Sequence, residues 1–342
     1  MKKKDILSMD IAQISRELED EPKYRAKQIY EWLHQKMVIS FEEMTNLPNS
    51  LIDKLNDKFF ICFPNVLKKH ISKDGTIKYL FDFGDNVIVE TVMMFSNYGN
   101  SICISSQVGC KMGCTFCASH IAGWEKNLTP AQLLAQVYFA KREVKKINNL
   151  VLMGIGEPLD NYDNVVKFIH MLSDENGQNL SQRSITLSTC GLVDKIYKLA
   201  DEGLSITLAI SLHAPTDEVR QRTMPVAKIH SMDSLFEAAN YYFEKTGRRV
   251  SYEYAMIDGV NDNEEQARIL GERLGNSNIH FNLIPLNQVT EANLKKATDG
   301  NIRRFAQTLE KYKIEVTVRR NQGTDINAAC GQLRRERKES EG

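Results

Sequence analysis

The sequence predicts an α/β fold in which a parallel sheet curls into a partial or complete barrel. From about residue 149 onwards, short β-branched runs alternate with amphipathic helical segments, which is the pattern of consecutive βα units. Before that region, residues 1 to about 60 have helical periodicity, and residues 68–105 change to the two-residue period of strands. We therefore expect a small all-helical N-terminal unit, then a β-hairpin, then the barrel.

The N-terminal unit is predicted as a helical accessory domain over residues 1–65. Residues 26–33 place Ile29, Trp32 and Leu33 at helical spacing. Residues 41–47 and 51–59 predict two further short helices, with the break between them at Pro48.

The hairpin is predicted to connect this unit to the barrel. Residues 78–83 are rich in aromatic side chains and residues 87–94 in β-branched ones, and the turn residues Gly84, Asp85 and Asn86 separate them. A third short strand is predicted at 101–105. We assign 66–100 to this extension and 101–330 to the barrel, and we predict a basic, disordered tail over 331–342.

Six βα units are predicted in the barrel. The strands are expected at 149–153, 183–188, 205–211, 250–256, 280–284 and 315–319. The helices are expected at 130–145, 162–173, 192–202, 232–246, 263–274 and 301–311. Because ligands bind at the carboxyl ends of parallel strands, candidate site residues are expected there.

Composition narrows the protein class. Among 342 residues, 42% are hydrophobic and 26% charged, with a formal net charge of zero, as in soluble globular proteins. We expect no membrane span and no signal peptide, and seven cysteines, three of them clustered, favour a reducing, cytoplasmic setting. Any nucleic acid must then be met by local basic pairs, among them Arg319 with Arg320.

The loop that carries Cys110, Cys114 and Cys117 is the most specific motif. Its CxxxCxxC spacing suits three corners of a [4Fe–4S] cube and leaves the fourth iron free for a small molecule. Radical S-adenosylmethionine (SAM) enzymes hold their cofactor in this way. A zinc site with His120 as the fourth ligand, or ordinary buried thiols, are the alternatives. The spacing favours the cluster.

A glycine-rich turn follows the first strand of the barrel. Gly154 and Gly156 allow the backbone to approach a ligand closely, and Glu157 can accept hydrogen bonds from an ammonium group. An ordinary turn is the alternative. Because it comes one βα unit after the cysteine loop, the turn is predicted to bind SAM.

Hydroxyl groups and one histidine lie at the ends of later strands. Ser188, Ser211 and His213 are placed to contact a ribose or a carboxylate, and Asn287 is a similar case. His213 is equally well interpreted as a structural histidine whose hydrogen bonds are satisfied inside the protein.

Two isolated cysteines suggest a reaction subtype. Cys330 lies in a small-residue segment past the last strand, and Cys103 lies on the strand that leads to the cysteine loop. A thiolate is a good methyl acceptor, and two thiols can form and break a disulfide. The alternative is that each is a buried small hydrophobe, which is how we interpret Cys62 and Cys190.

Taken together, the motifs show a resemblance that covers nearly the whole chain. The sequence resembles the RlmN-type RNA adenine-C2 methyltransferases, radical SAM enzymes related to the Cfr-type C8 enzymes. The motifs that carry it are YRAKQI at 24–29, VETV at 89–92, CISSQVGC at 103–110 and its CxxxCxxCAS continuation, GIGEP at 154–158, SLH at 211–213 and AACGQL at 328–333.

The resemblance implies a partial (βα)6 radical SAM barrel, a small N-terminal domain that contacts RNA, and a role for each matching residue. Cys110, Cys114 and Cys117 are implied to ligate the cluster. The implied SAM site comprises Gly156, Glu157, Ser188, Ser211, Leu212, His213 and Asn287. Cys330 is implied to carry the methyl group, Cys103 to be its disulfide partner, and Glu90 to be the proton acceptor. On the residues alone, Glu90 would be a strand glutamate facing solvent.

The implied activity uses two SAM molecules. One methylates Cys330, and the second yields a radical that activates the S-methyl group for attack on C2 of adenine. The implied substrate is 23S rRNA, with a tRNA anticodon-loop adenine in some members. We expect an RNA partner, an electron donor such as flavodoxin or ferredoxin, and a monomer.

Four alternatives stay open, and they differ in chemistry or in target. A Cfr-type C8 enzyme generally has alanine where Pro158 stands, so C2 is favoured. A divergent paralogue with another RNA target is suggested by the segment 288–298, which departs from the family pattern. A radical SAM activating enzyme needs neither Cys103 nor Cys330, and a non-enzymatic RNA-binding protein would hold zinc.

Overall fold

The computed structural model describes residues 3–97, 99–144, 146–275 and 277–334. The strands, numbered along the chain, are β1 Lys4–Asp5, β2 Phe59–Phe60, β3 Asn65–Ile71, β4 Ile77–Asp82, β5 Ile88–Ser96, β6 Gly99–Cys103, β7 Gln107–Val108, β8 Lys126–Asn127, β9 Asn149–Leu152, β10 Ile185–Thr189, β11 Thr207–Ser211, β12 Val250–Met256, β13 Ile279–Pro285 and β14 Glu315–Val318. The helices are α1 Ile11–Glu17, α2 Tyr24–His34, α3 Asn49–Lys58, α4 Pro130–Val144, α5 Tyr162–Ser173, α6 Val193–Asp201, α7 Asp217–Thr223, α8 Met232–Thr246, α9 Glu264–Leu274 and α10 Asp299–Lys311.

One ten-stranded sheet organises the molecule, in the order β14-β13-β12-β11-β10-β9-β6-β5-β4-β3. The strands from β6 to β14 in this order pair in parallel, whereas β3 to β6 pair antiparallel. In the described residues β14 and β3 are the two ends of the order, so the sheet is open. The α/β partial barrel is confirmed, and the predicted hairpin, β4 with β5, continues its sheet.

The side-chain alternation along β12 makes the barrel interior polar. Tyr252 and Tyr254 point outward into the main hydrophobic core beneath the helices, whereas Ser251, Glu253 and Ala255 line the interior cavities. Strand residues alternate between the two faces of a sheet, so one buried strand can supply both environments. Polar groups thereby become available inside the barrel.

Several elements were missing from, or differed from, the sequence prediction. β3 is exposed at every residue, so it lacks the apolar alternation that marks a strand, and it lies at the sheet edge. α1 and α7 have seven residues each, too short for a clear period. The helix predicted at 41–47 is a 3₁₀ turn over Phe41–Glu43, and the pair β1–β2 adds two short strands to the unit predicted to be all-helical.

The N-terminal helices share their hydrophobic core with the barrel. At their contact, His34 Nδ1 lies 2.8 Å from the Tyr138 hydroxyl. The Tyr30 hydroxyl donates to Asp174 at 3.3 Å. The domain limits at 65 and 100 stay predictions.

The predicted tail, 331–342, is described only in part. Its residues 335–342 lie outside the described residues. Gln332 and Leu333 are buried, and the Ser119 hydroxyl donates to the Leu333 carbonyl at 2.8 Å, so these residues differ from the disordered tail that was predicted. Among the described residues, no helix has the length and apolar character needed to cross a membrane.

Candidate active site

A cleft lies at the carboxyl ends of the parallel strands, which is where ligands bind in such sheets. The predicted site residues that line it are Cys110, Cys114, Cys117, Gly156, Glu157, Ser188, Ser211, His213, Asn287 and Cys330. Cys103 lines an adjoining cleft, to which Cys330 also contributes. Leu212 and Glu90 line neither.

The cysteine loop is held by two segments distant in sequence. The Thr115 N–H donates to the Thr223 carbonyl at the end of α7 at 2.9 Å, and the Ala118 N–H donates to the Gly331 carbonyl at 2.7 Å. Met224 and Val226, just past α7, pack in one apolar cluster with Cys114. The brace from α7 was not predicted, because nothing in the sequence links this short helix to the loop.

The environment of the three thiols fits a cluster-binding loop. Burial raises the pKa of Cys110 to about 12 and also raises the pKa values of Cys114 and Cys117, so metal binding must displace their protons. In the described residues no three Cys, His, Asp or Glu side chains form a group that could hold a single metal ion. In a [4Fe–4S] cube each thiolate binds a different iron, so the ligands lie further apart.

The candidate zinc ligand His120 lies outside this set. Its Nδ1 is 2.6 Å from the Cys117 carbonyl oxygen, and the side chain is not part of the cleft lining.

The glycines of the turn after β9 allow its backbone to pack closely against the segment 104–107. A Cβ on Gly154 would lie 2.6 Å from the Ile104 carbonyl oxygen, and one on Gly156 would lie 2.6 Å from Gln107 Cβ. Gly156 also has φ of +107°, which side chains disfavour. We predicted that these glycines let the backbone approach a ligand closely. The structure shows that they let it approach the segment 104–107, and this contact holds the turn beside the cleft.

Replacing Gly156 by alanine is expected to destabilise the fold by about 2–5 kcal/mol, from backbone strain plus the clash with Gln107. Gly259→Ala is the matched control, because Gly259 also has positive φ, but a Cβ at that position would meet no other atom within 4 Å. Denaturant unfolding of both variants separates the clash from the strain. Equal losses for the two would show that the contact with Gln107 is unimportant.

Glu157 is a structural carboxylate at the floor of the cleft. One oxygen accepts from the Leu159 N–H at 3.0 Å and the other from the Cys190 N–H at 2.7 Å. Burial raises its pKa, and these hydrogen bonds oppose the rise. The carboxylate joins the turn after β9 to the end of β10, and the residue lines the cleft that an ammonium group would enter.

His213 makes one ring hydrogen bond inside the protein and also lines the cleft. The Ala255 N–H donates to its Nδ1 at 2.8 Å, so the proton of the neutral ring is on Nε2. Burial, followed by the charge of Arg220, lowers the pKa of His213 to about 3, so the ring stays neutral. Its φ of 56° turns the chain just after β11, and Ser211 and Ser188 line the same wall.

Asn287 has the clearest unfilled hydrogen-bonding capacity in the cleft. Its Nδ2 donates to the Cys330 carbonyl at 3.0 Å, whereas its buried Oδ1 has no partner among the described residues. A buried acceptor without a donor is costly, and a ligand hydroxyl or amino group in the cleft would satisfy it. This feature fits a bound SAM.

Two predicted residues have their side chains elsewhere. Leu212 is 0% exposed in the hydrophobic core, because it follows Ser211 and so points to the opposite face. Glu90 is 1% exposed, so the interpretation as a solvent-facing glutamate is wrong. Its Oε1 lies 2.6 Å from Lys78 Nζ, and its Oε2 accepts from the Arg334 N–H at 2.8 Å.

The adjoining cleft, of about 530 Å³, brings Cys103 and Cys330 together. Val92 and Met94 of β5 form an apolar wall, and residues 319–322 form a polar edge. Both cysteines are free thiols. Burial, with a contribution from Cys330, raises the pKa of Cys103 to about 12.

Sequence reasoning missed Glu253 and misplaced Arg319. Glu253 is 3% exposed on β12, and its Oε2 lies 3.8 Å from Arg319 Nη1. The pKa of Arg319 is raised, mainly by Cys330. Glu253 and Cys103 raise it further, whereas burial lowers it. Arg319 was predicted as part of a basic surface pair but borders the cleft. The available signal for Glu253 was its place as the one charged residue in a strand predicted to lie in the sheet.

A partial α/β barrel with three thiols and a glycine turn at the ends of its strands defines a radical SAM enzyme. The radical SAM superfamily model matches residues 104–269, and the model of the ribosomal RNA large subunit methyltransferase N-terminal domain matches residues 5–61. The chain is 52% identical over 331 residues to the probable dual-specificity RNA methyltransferase RlmN of Lachnoclostridium phytofermentans, covering 96% of this chain and 93% of that one. It belongs to the RlmN family of radical SAM RNA methyltransferases.

Two further comparisons agree. The chain is 48% identical over 343 residues to the protein of the same name from Clostridium perfringens strain 13, covering 99% of each. A crystal structure of a radical SAM methyltransferase from Sphaerobacter thermophilus superimposes with a TM-score of 0.94 at 38% identity, covering 97% of this chain and 100% of that one. The cofactors of this family are a [4Fe–4S] cluster and SAM, and a zinc-holding RNA-binding protein is excluded.

Proposed function

We propose that this enzyme methylates C2 of an adenine in 23S rRNA, and of a tRNA anticodon-loop adenine, through a methylated Cys330. One observation carries the proposal: Cys103 and Cys330 border one cleft, and Cys330 also borders the cleft of the cysteine loop. When bound, SAM and the cluster supply the methyl group and a radical able to take a hydrogen atom from it. The cysteine loop is proposed to hold the cluster through Cys110, Cys114 and Cys117.

The chemistry explains why two thiols are needed. C2 of adenine is electron-poor, so it does not attack SAM as a nucleophile. A carbon first attached to the Cys330 sulfur can instead add to C2 as a radical. The adduct then loses its C2 proton to a base and one electron, which the oxidised cluster would accept when bound. The Cys103 thiolate then attacks the Cys330 sulfur and forms a disulfide. The bond between that sulfur and the carbon breaks, the carbon takes the electron pair and a proton, and methyladenine is released.

The segment that carries Cys330 is held firmly enough to serve two clefts. Asn287 Nδ2 donates to its carbonyl, and the next residue, Gly331, accepts from Ala118 beside the cysteine loop. Cys103, at the end of β6, pairs with Val92 in the sheet. One thiol therefore lies on a loop that borders both clefts, and the other lies on a strand that borders one.

SAM is proposed to lie along the wall formed by Gly156, Glu157, Ser188, Ser211, Leu212, His213 and Asn287. Leu212 takes part through its backbone alone, because its side chain is in the core. The Nε2–H of His213 and the Oδ1 of Asn287 offer a donor and an acceptor that the described protein groups do not use.

Glu90 is proposed as the acceptor of the C2 proton, and it must leave Lys78 to act. Glu90→Gln is expected to slow RNA methylation by about 10²–10⁴-fold, the usual contribution of a general base, with unchanged iron content. Lys78→Met removes the ion-pair partner of the buried Glu90 carboxylate and is expected to cost about 3–5 kcal/mol of unfolding free energy. Methylation rates by nucleoside mass spectrometry and denaturant unfolding check the two effects.

Glu253→Gln is the matched control for that assignment, because Glu253 is a second buried carboxylate and it lines the cleft itself. If Glu253→Gln slows methylation as predicted for Glu90→Gln, and Glu90→Gln does not, the proton acceptor is Glu253.

The RNA is proposed to present an unpaired adenine. A base in a loop can be turned out of its stack at modest cost, whereas a paired base cannot reach a buried thiol cheaply. We place the enzyme in the cytoplasm as a monomer, reduced by a flavodoxin or ferredoxin. A one-electron donor is required because the radical step starts from a reduced cluster.

The test is anaerobic incubation with unmodified 23S rRNA fragments or tRNA transcripts, SAM and a reductant, followed by mass spectrometry of the nucleosides. Formation of 2-methyladenosine in both RNAs supports the proposal. 8-Methyladenosine would assign the Cfr-type reaction instead. Deoxyadenosine without methylated RNA would mean that the substrate is another RNA, as expected of a divergent paralogue.

A further inference from the structure

Arg220 of α7 is a charged side chain in the protein interior that the methylation chemistry above does not use. It is 0% exposed. Its Nε donates to the Leu212 carbonyl at 3.1 Å, and its Nη2 donates to the carbonyls of Cys190 at 2.6 Å and Ser211 at 3.2 Å. The guanidinium is therefore fixed behind the ends of β10 and β11.

Its charge is poorly compensated within the protein. Nη1 is buried without a hydrogen-bond partner in the described residues. No carboxylate of the described chain forms an ion pair with Arg220, and Asp217 on the same helix acts on it from further away. Burying an unpaired cation is costly, so an anion is expected beside it in the working protein.

The thiols of the cysteine loop are the groups that can become that anion. The apolar cluster around Met224 packs Cys190, whose carbonyl Arg220 binds, against Cys114. Arg220 therefore lies behind the same apolar cluster against which Cys114 packs. The same helix end accepts the Thr115 N–H, so α7 brings both a brace and a charge to the loop.

We propose that Arg220 is the counter-charge of the cysteine loop, which stabilises the negative charge of the thiolate-ligated cluster and most of all its reduced form. Three thiolates make the loaded loop anionic, and reduction adds one more negative charge. A fixed cation in a water-poor interior therefore favours the reduced state. Arg220 acts through the cluster loop and is a positioning and electrostatic residue.

The test is a redox titration of the reconstituted cluster by electron paramagnetic resonance in Arg220→Met and Arg220→Lys proteins. Arg220→Met removes the charge and keeps an unbranched apolar chain. We expect at least a tenfold fall in the ratio of reduced to oxidised cluster at a fixed potential, which is about 59 mV for a one-electron couple. Arg220→Lys keeps the charge and should stay near the wild-type potential.

Arg222→Met is the matched control, because Arg222 is an exposed arginine on the same helix, and it should leave the potential unchanged.

A wild-type potential in iron-replete Arg220→Met, or an equal fall in Arg220→Lys, overturns the proposal. If Arg220→Met takes up no iron while Arg220→Lys takes up the full amount, the charge is needed for assembly, which supports it. If neither holds iron, the hydrogen bonds rather than the charge matter, and the proposal fails. None of these readouts requires an RNA substrate.

Discussion

Cys330→Ala is expected to abolish RNA methylation while the protein keeps its iron and its affinity for SAM. The proposed methyl carrier is lost, and no neighbouring thiol can replace it: Cys103 is buried at the end of a strand, and the other thiols of the cleft belong to the cysteine loop or, like Cys190, lie in its apolar support. We expect a loss of at least about 10³-fold, the order seen when a covalent nucleophile is removed. Nucleoside mass spectrometry after anaerobic turnover measures it.

Cys62→Ala is the control, because Cys62 is a buried cysteine of the N-terminal region, which does not line either cleft. Its activity should stay near that of the wild type. Methylated RNA from Cys330→Ala at an appreciable rate would contradict the methyl-cysteine route, even with an intact cluster. Loss of iron in the same variant would instead show that the Cys330 segment supports the cysteine loop, through the hydrogen bond between Ala118 and Gly331.

The regular part of the fold was predictable from local patterns. The prediction of β12 at 250–256 and of α5 at 162–173 agrees with the structure because both segments are long and strongly periodic. Edge strand β3 was not predictable, since each of its residues is exposed and its place is set by pairing with β4. Periodicity reports which face is buried, and an element that buries neither face leaves no such signal.

The candidate site was predictable where chemistry is concentrated in short motifs. Cys110, Cys114 and Cys117 fall within one loop, and the glycine turn follows one strand, so spacing alone marks both. Arg220 and Glu253 are isolated charged residues in the sequence, and only the folded chain shows that they are buried beside the thiols or the cleft. Side-chain direction was the other limit, as the alternation of Ser211 and Leu212 between cleft and core shows.

Cys103→Ala is expected to stop the reaction one step later than Cys330→Ala, with the RNA covalently attached to the enzyme. Without the second thiol, nothing attacks the Cys330 sulfur, so the carbon between that sulfur and C2 of adenine is not released. Labelled RNA should therefore migrate with the denatured protein on a gel, in an amount approaching one RNA per active enzyme, and nuclease should reduce the attached mass to a nucleotide. Mass spectrometry should locate that nucleotide on Cys330.

The double variant Cys103→Ala/Cys330→Ala is the matched control and should give no adduct. Release of methyladenine by Cys103→Ala at the wild-type rate would show that another group resolves the adduct, and an adduct in the double variant would place the methyl carrier on a different residue.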